Sequence, residues 1–205
     1  MPDAAAAAAF ARRHRCPIAL KGVADGLVHR TDAGAVAVDL SGKRTIERAA
    51  GEMAIRMEAA GHRPTGFMVQ AMAAPGVELL VGAVVDPTFG PVVAVAAGGA
   101  TAELLGDTAL RLTPLTDRDA HDVVRELRTF PLLGGYRGAP RVDVEAVEQT
   151  LLRMSALVTT HHEIAELECN PLVVSPEGAI AVDVRARVEL VSPEAPEPSL
   201  RRTGG

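Results

Sequence analysis

Residues 77–99 read VELLVGAVVDPTFGPVVAVAAGG, two nearly unbroken apolar runs joined by Asp-Pro-Thr-Phe-Gly. A chain carrying such a stretch must cover it on both faces for at least part of its length, because an antiparallel pair with one wet face would alternate apolar with polar residues. The joining residues have the composition of a hairpin loop. A sheet built around this hairpin, with helices laid against it, is therefore expected. The runs fall short of the ~20 residues that a membrane helix needs, and no charged-then-apolar leader is evident, so the chain is expected to be cytoplasmic with no membrane partner.

Composition narrows the classes further. With 205 residues and 48% hydrophobic side chains, the chain can fill one large domain or two small ones. Aromatics make up only 2% and Trp is absent, so Val, Leu, Ile and Ala must supply the core. The net charge is -5, with no basic stripe to neutralise a phosphate backbone, which excludes nucleic acid as the expected partner. Cys16 and Cys169 stand far apart without Cys-x-x-Cys spacing, against a disulfide framework or structural zinc.

Along the chain, AAAAAAFARRHR has strong helix propensity and leads into PIALKG, a short buried strand closed by Gly22. AVAVDL reads as a second strand. Ser41 is the expected cap of a helix through KRTIERAAGEMAIRMEAAG, where Ile46, Ala49, Ala50, Met53 and Met57 recur at helical spacing before Gly61 stops it. GFMVQAMA is another strand. TAELLGDTALRL holds either a strand pair or a strand with a turn. Thr116 caps a helix through DRDAHDVVRELRTF, which ends before a Gly and Pro loop, PLLGGYRGAP. Asp143 or its neighbour opens VEAVEQTLLRMSALVTTHH, with Val147, Leu151, Leu152, Met154 and Val158 inside. IAELECNPLVVSPEGAIAVDVRARVEL is then two strands around SPEG, and SPEAPEPSLRRTGG is expected to be a disordered tail. Hairpins with interspersed helices indicate an α+β layered fold rather than a regular βαβ array.

The chemistry concentrates in AELECNP. Strand side chains alternate, so Glu166, Glu168 and Asn170 share one face and Ala165, Leu167 and Cys169 the other. A two-residue loop pairing Ser175 with Gly178 would set Asn170 directly opposite Asp183; a three-residue loop would shift the register by one and need a compensating bulge, for example at Pro171. Carboxylates and an amide on one patch suit a hard divalent cation. Mg²⁺ in particular takes one or two carboxylates and completes its shell with phosphates and water, which points to a nucleotide.

PIALKG, LVHRTDAGAV, the 66–99 segment, TAELLGDTALRLTPL, FPLLGGYRGAP and IAELECNPLVV with AIAVDVRA stand in the order and spacing of a known family. The chain resembles the ATP-grasp domain of NDP-forming acyl-CoA synthetases, the ADP-forming acetate–CoA ligase type related to the succinyl-CoA synthetase β subunit, over roughly residues 8–190. The resemblance implies an ATP-grasp fold of two α/β subdomains with a nucleotide cleft between them, here as a partial N-terminal subdomain (1–70), a C-terminal subdomain (71–190) and a tail (191–205). By the same resemblance Lys21 reaches the nucleotide phosphates, the loop around Gly34 closes over them, and the backbone of Gln70, Ala71 and Met72 meets adenine, with Glu78 near the ribose or phosphates. Asn170 and Asp183 match Mg²⁺ ligands, with Glu168 beside them as a catalytic carboxylate. His29 matches a phosphohistidine that takes a phosphoryl group from a swinging histidine loop and passes it to ADP, a task for a nucleophile unprotonated near neutral pH.

The implied function is the ATP/ADP-Mg²⁺-binding, phosphoryl-shuttling part of an acid–thiol ligase that interconverts acyl-CoA, ADP and phosphate with acid, CoA and ATP. The alternative is a non-catalytic nucleotide-binding module derived from that family. Arg30 and Ala35 stand where the family has lysine and glycine, and Glu168 where it usually has aspartate. The family's domain also begins with a further helix and strand, which implies a shortened start here. The CoA-binding and ligase domains are not in this sequence, so a partner polypeptide is expected, and self-association is a further expectation.

Overall fold

The structure is a computed structural model that describes residues 3–27, 33–99 and 105–190. The chain divides into two compact units, Met1–Ala73 and Ala74–Gly205. The expected tail lies outside the described residues. None of the helices described is long and apolar enough to cross a membrane.

In the first unit, helix α1 (Ala4–His14) starts at Asp3, whose carboxylate accepts from the Ala6 N–H at 2.8 Å, and ends where Arg15 turns left-handed at φ 51°. Strands β1 (Ile18–Val23), β2 (Val36–Leu40) and β3 (Gly66–Ala71) form an antiparallel sheet in the order β2-β1-β3. Helix α2 (Lys43–Ala59) covers it with Ile46, Ala50, Met53 and Met57, which meet Ile18 and Leu20 in one core. Ala49 is only partly buried at its margin. The expected Ser41 cap is not made. Gly42 occupies the N-cap at φ 79° and no side chain caps the helix, because a left-handed residue is needed to turn β2 into α2 and glycine adopts it without strain.

The second unit is built on the hairpin that opened the sequence analysis. Strands β4 (Val77–Asp86) and β5 (Gly90–Ala97) pair without a break from Leu79 opposite Ala97 to Asp86 opposite Gly90. Asp86 Oδ1 closes the loop by accepting from Thr88 N–H and Phe89 N–H at 2.8 and 2.9 Å. Strand β6 (Thr108–Leu112) extends the sheet beyond β5. Two helices line the buried face. Helix α3 (Asp117–Arg125) carries a full capping box between Thr116 and Asp119, and the chain then runs through a four-residue helix α4 (Phe130–Leu133) and a 3₁₀ turn (Tyr136–Gly138). Helix α5 (Val144–Thr160) is capped by Asp143. The helix expected to run through Phe130 stops at Arg125, and residues 131–133, expected as loop, join Phe130 in a helical turn, because a proline in the first turn sacrifices no intrahelical N–H bond.

The C-terminal segment forms three strands rather than two: β7 (Ile164–Ser175), β8 (Gly178–Ala181) and β9 (Val184–Val188). β8 and β9 both pair with β7, separated by a break at Val182 and Asp183. β7 is also hydrogen-bonded to β4, so the sheet runs β6-β5-β4-β7-β8 with β9 beside β7. Leu79, Val81, Val93, Val95, Leu167, Cys169, Leu172 and Val174 point into a core completed by Val123, Val124, Leu151, Met154 and Val158 of the helices. Ser155 is buried with them and accepts from the Leu115 N–H at 2.9 Å, while Leu152 is partly buried at the edge.

Candidate functional site

Among the described residues, the helices of each unit share a core with one face of its sheet, and Lys21, Glu78, Glu168 and Asn170 alternate with residues of that core. In the first unit, a Cβ at Gly22 would meet Met57 Sδ, so Gly22 points at α2 and its neighbour Lys21 points the opposite way. Lys21 sits on the central strand, opposite Val36 on one side and Met68 on the other, and is 5% exposed. A lysine so deeply set in the middle of a sheet keeps its ammonium at a fixed point rather than sweeping solvent.

β3 supplies the neighbouring edge. Met72 N–H donates to Pro17 O at 3.0 Å, and the register pairs Gln70 with Ala19 and Ala71 with Ile18. An antiparallel ladder alternates its bonding, so the N–H and C=O of Gln70 and the N–H of Met72 are directed at β1, Pro17 having no N–H for the Met72 carbonyl, and the N–H and C=O of Ala71 both point away from it. Of the three residues expected to offer backbone to adenine, Ala71 is thus the one whose main chain is turned outward; the side chains of Gln70 and Met72 share Lys21's face. Gly34 follows at φ 62°, and its carbonyl accepts from Arg56 Nε at 3.1 Å. His29 and the rest of 28–32 lie outside the described residues.

In the second unit the alternation along β7 is clear in burial: Ala165, Leu167 and Cys169 are buried, and Glu166, Glu168 and Asn170 are not. The Ser175–Gly178 pairing gives the two-residue loop, and the same register runs back through Leu172 with Ala181, Cys169 with Val184 and Glu168 with Arg185. Between these pairs, Asn170 N–H donates to Asp183 O and Val182 N–H to Pro171 O, both at 3.0 Å. On its other side β7 carries one extra residue against β4: Cys169 faces Val81 and Leu172 faces Leu79, so Asn170 and Pro171 form a bulge opposite Leu80. Burial then switches phase, with Leu172 and Val174 buried downstream.

The side chains on this strip touch one another. Asn170 Nδ2 donates to Glu168 Oε1 at 3.0 Å, which leaves the Asn170 carbonyl oxygen as the free end of the amide. Gly82 is the residue of β4 opposite Glu168 and presents no side chain against it. Among the described residues no group of three or more His, Cys, Asp and Glu could hold a metal ion. Oxygens from Glu168, Asn170 and Asp183 nevertheless fit a cation that accepts one or two carboxylates and takes its remaining ligands from phosphate and water.

Glu78 lies on the face of β4 opposite the buried Leu79 and Val81, and Gly98 and Gly99 come close to it. Gly98 N–H donates to Glu78 O at 2.9 Å, and a Cβ at Gly98 would stand 2.7 Å from the Glu78 carbonyl carbon and oxygen. Gly99, at φ 72°, would bring one to 3.0 Å from Glu78 Oε2. The glycine pair is there for this approach. Arg111 makes a two-pronged ion pair with Glu126. Burial of Cys169 pushes its thiol up, with the Glu168 charge adding to the effect, so it stays a neutral core group.

The chain is similar to known proteins over most of its length. The chain is 38% identical over 173 residues to acetate–CoA ligase (ADP-forming) I of Archaeoglobus fulgidus, covering 82% of this chain and 25% of that protein. It is 33% identical over 173 residues to the beta subunit of acetate–CoA ligase (ADP-forming) I of Pyrococcus furiosus, covering 82% of this chain and 74% of the subunit. The chain therefore spans a quarter of the first relative and about three quarters of the second. Among solved structures, Ca. Korarchaeum cryptofilum dinucleotide forming acetyl-coenzyme A synthetase 1, in complex with coenzyme A, Ca-AMPCP and HgCl+, superposes with a TM-score of 0.86 at 34% identity, covering 92% of this chain and 83% of that one. The same enzyme with coenzyme A and Mg-AMPPCP, its phosphohistidine segment pointing towards the nucleotide binding site, gives 0.77 at 35% identity over 89% and 81%. The family model for the ATP-grasp domain matches residues 1–188, so the fold is ATP-grasp and the chain belongs to that family.

Proposed function

We propose that this chain is the nucleotide-binding, phosphoryl-shuttling component of an ADP-forming acyl-CoA synthetase, working with a CoA-binding and ligase chain or domain. The observation that carries the reading is the strip on β7 and its hairpin, where Glu168 bonds Asn170 and Asn170 bonds the Asp183 backbone on the face opposite the core. Membership of the family and the nucleotide complexes of its solved relatives support it.

In this reading the Asn170 carbonyl and Asp183 hold Mg²⁺, which when bound neutralises phosphate charge. Lys21 adds a fixed positive charge for the phosphates. Ala71 offers adenine an outward N–H and C=O, and Glu78 approaches the ribose or phosphates. His29 carries the phosphoryl group. When it discharges, a β-phosphate oxygen of ADP bonds to phosphorus, the N–P bond breaks, and the imidazole leaves with the electron pair and takes up a proton. Glu168 orients Asn170 and faces the transferring group. Such a transfer is governed by positioning and charge neutralisation, which is what a strip of fixed side chains supplies.

Two measurements test this. Mg-ATP should bind wild type, and Asp183→Asn should weaken it at least tenfold without altering the far-ultraviolet dichroism. Incubation with Mg-ATP followed by mass spectrometry at neutral pH should show an acid-labile phosphate on wild type and none on His29→Asn. Binding without that phosphate would instead favour a non-catalytic nucleotide-binding module; no binding at all would remove both readings.

A further inference from the structure

The strip on β7 is wider than the residues assigned so far. Three cross-strand pairs follow one another along the same face: Asn170 with Asp183, Glu168 with Arg185, and Glu166 with Arg187. The two arginines differ. Arg187 is paired, its guanidinium donating to Glu166 Oε2 at 3.4 Å and also to Glu189. Arg185 faces Glu168, but that carboxylate is turned toward the Asn170 amide, and among the described residues the Arg185 guanidinium makes no ion pair or hydrogen bond.

We propose that Arg185 grips the outermost phosphate of the magnesium-bound nucleotide. This rests on the functional reading above and adds a residue to it. Asp183 and Arg185 are two residues apart on one face, roughly 6.6 Å at strand rise, and an arginine side chain spans that distance. A phosphate oxygen on a cation held by Asn170 and Asp183 therefore falls within its reach. The planar fork of the guanidinium suits two oxygens of a terminal phosphate, and the charge complements the acidic residues that would otherwise repel a polyphosphate. A cation standing free next to two carboxylates is poorly explained as a stability device, since it satisfies neither of them.

The test is calorimetric binding of Mg-AMPPCP and of AMP to wild type, Arg185→Gln, Arg185→Lys and, as control, Arg187→Gln. Arg185→Gln should lose about 10- to 100-fold in Mg-AMPPCP affinity and less than about twofold for AMP, as expected for one charge-assisted, two-pronged phosphate contact. Arg185→Lys should recover part of the loss, having the charge without the fork. Arg187→Gln should bind both ligands like wild type, and all four proteins should melt at the same temperature. If wild type binds Mg-AMPPCP and Arg185→Gln binds it equally well, the assignment is overturned while the functional reading survives. Equal losses in the Arg185 and Arg187 variants would reduce the effect to net charge and also overturn it. Wild type that fails to bind Mg-AMPPCP would overturn the functional reading itself.

Discussion

Asp107 offers the sharpest test of how the second unit is held together. The residue is buried at 6% exposure and its carboxylate accepts three hydrogen bonds, from Arg128 N–H at 2.9 Å, Thr129 N–H at 2.8 Å and Thr129 Oγ1 at 2.6 Å. It thereby ties the start of β6 to the turn between α3 and α4. Burial pushes the carboxyl up, but these bonds, led by that from Thr129 Oγ1, and the nearby Arg128 charge more than offset it, so the group is held below the ordinary carboxylate range. Asp107→Ala would strip two backbone N–H groups of a charged acceptor. Bonds to charged groups contribute about 1.5–3 kcal/mol each and do not add fully, so a loss of about 3 kcal/mol is expected. The exposed Arg128 guanidinium at 3.6 Å adds little to that figure. With an m-value of about 1.5 kcal/mol/M, the urea midpoint should fall by about 2 M, followed by circular dichroism because Trp is absent. The pH dependence has a definite sign. A depressed carboxyl stabilises the fold above its unfolded pKa and loses that contribution as pH falls through the folded value, so the gap between wild type and Asp107→Asn should be constant above about pH 5 and close below about pH 4. A midpoint shift under about 0.5 M, or a gap that widens in acid, would refute the reasoning.

Two further outcomes concern the candidate site. Lys21→Met keeps the apolar stem and removes the charge, so Mg-ATP affinity should fall at least about tenfold, or about 1.4 kcal/mol, with the fold retained; unchanged affinity by calorimetry would take Lys21 out of the site. Gly98→Ala places a methyl 2.7 Å from the Glu78 carbonyl and forces β4 and the chain after β5 apart, so stability should drop by about 1–3 kcal/mol together with weaker nucleotide binding. A variant with the wild-type melting temperature would show that the glycine is dispensable there.

What could be read in advance, and what could not, follows from how local each determinant is. The β4–β5 hairpin, the Thr116 and Asp143 caps and the face shared by Glu166, Glu168 and Asn170 depend on residues within a few positions of one another, so period and turn chemistry expose them. The Ser175–Gly178 register was one of two open alternatives because both loop lengths suit SPEG; pairing with β7 on a long strand selects between them. Ser41 carried a capping signal that failed because the path from β2 into α2 required the left-handed residue one place later. The approach of Gly98 to Glu78 and the placing of Arg185 beside Asp183 carried no local signal, because they depend on a backbone and a strand that sequence neighbours do not specify.

The extra residue at Asn170–Pro171 acts on β7 like a change of reading frame. Upstream, odd-numbered positions feed the core and even-numbered ones carry the carboxylates; downstream, the even-numbered positions take over the interior. A strand of constant phase would have to choose between Leu167 and Cys169 inside or Leu172 and Val174 inside, and would turn one half of itself out to water. Shortening the chain by a single residue at that point should consequently damage core and polar strip together, so the length of this segment is held fixed by packing even where its chemistry is free to vary.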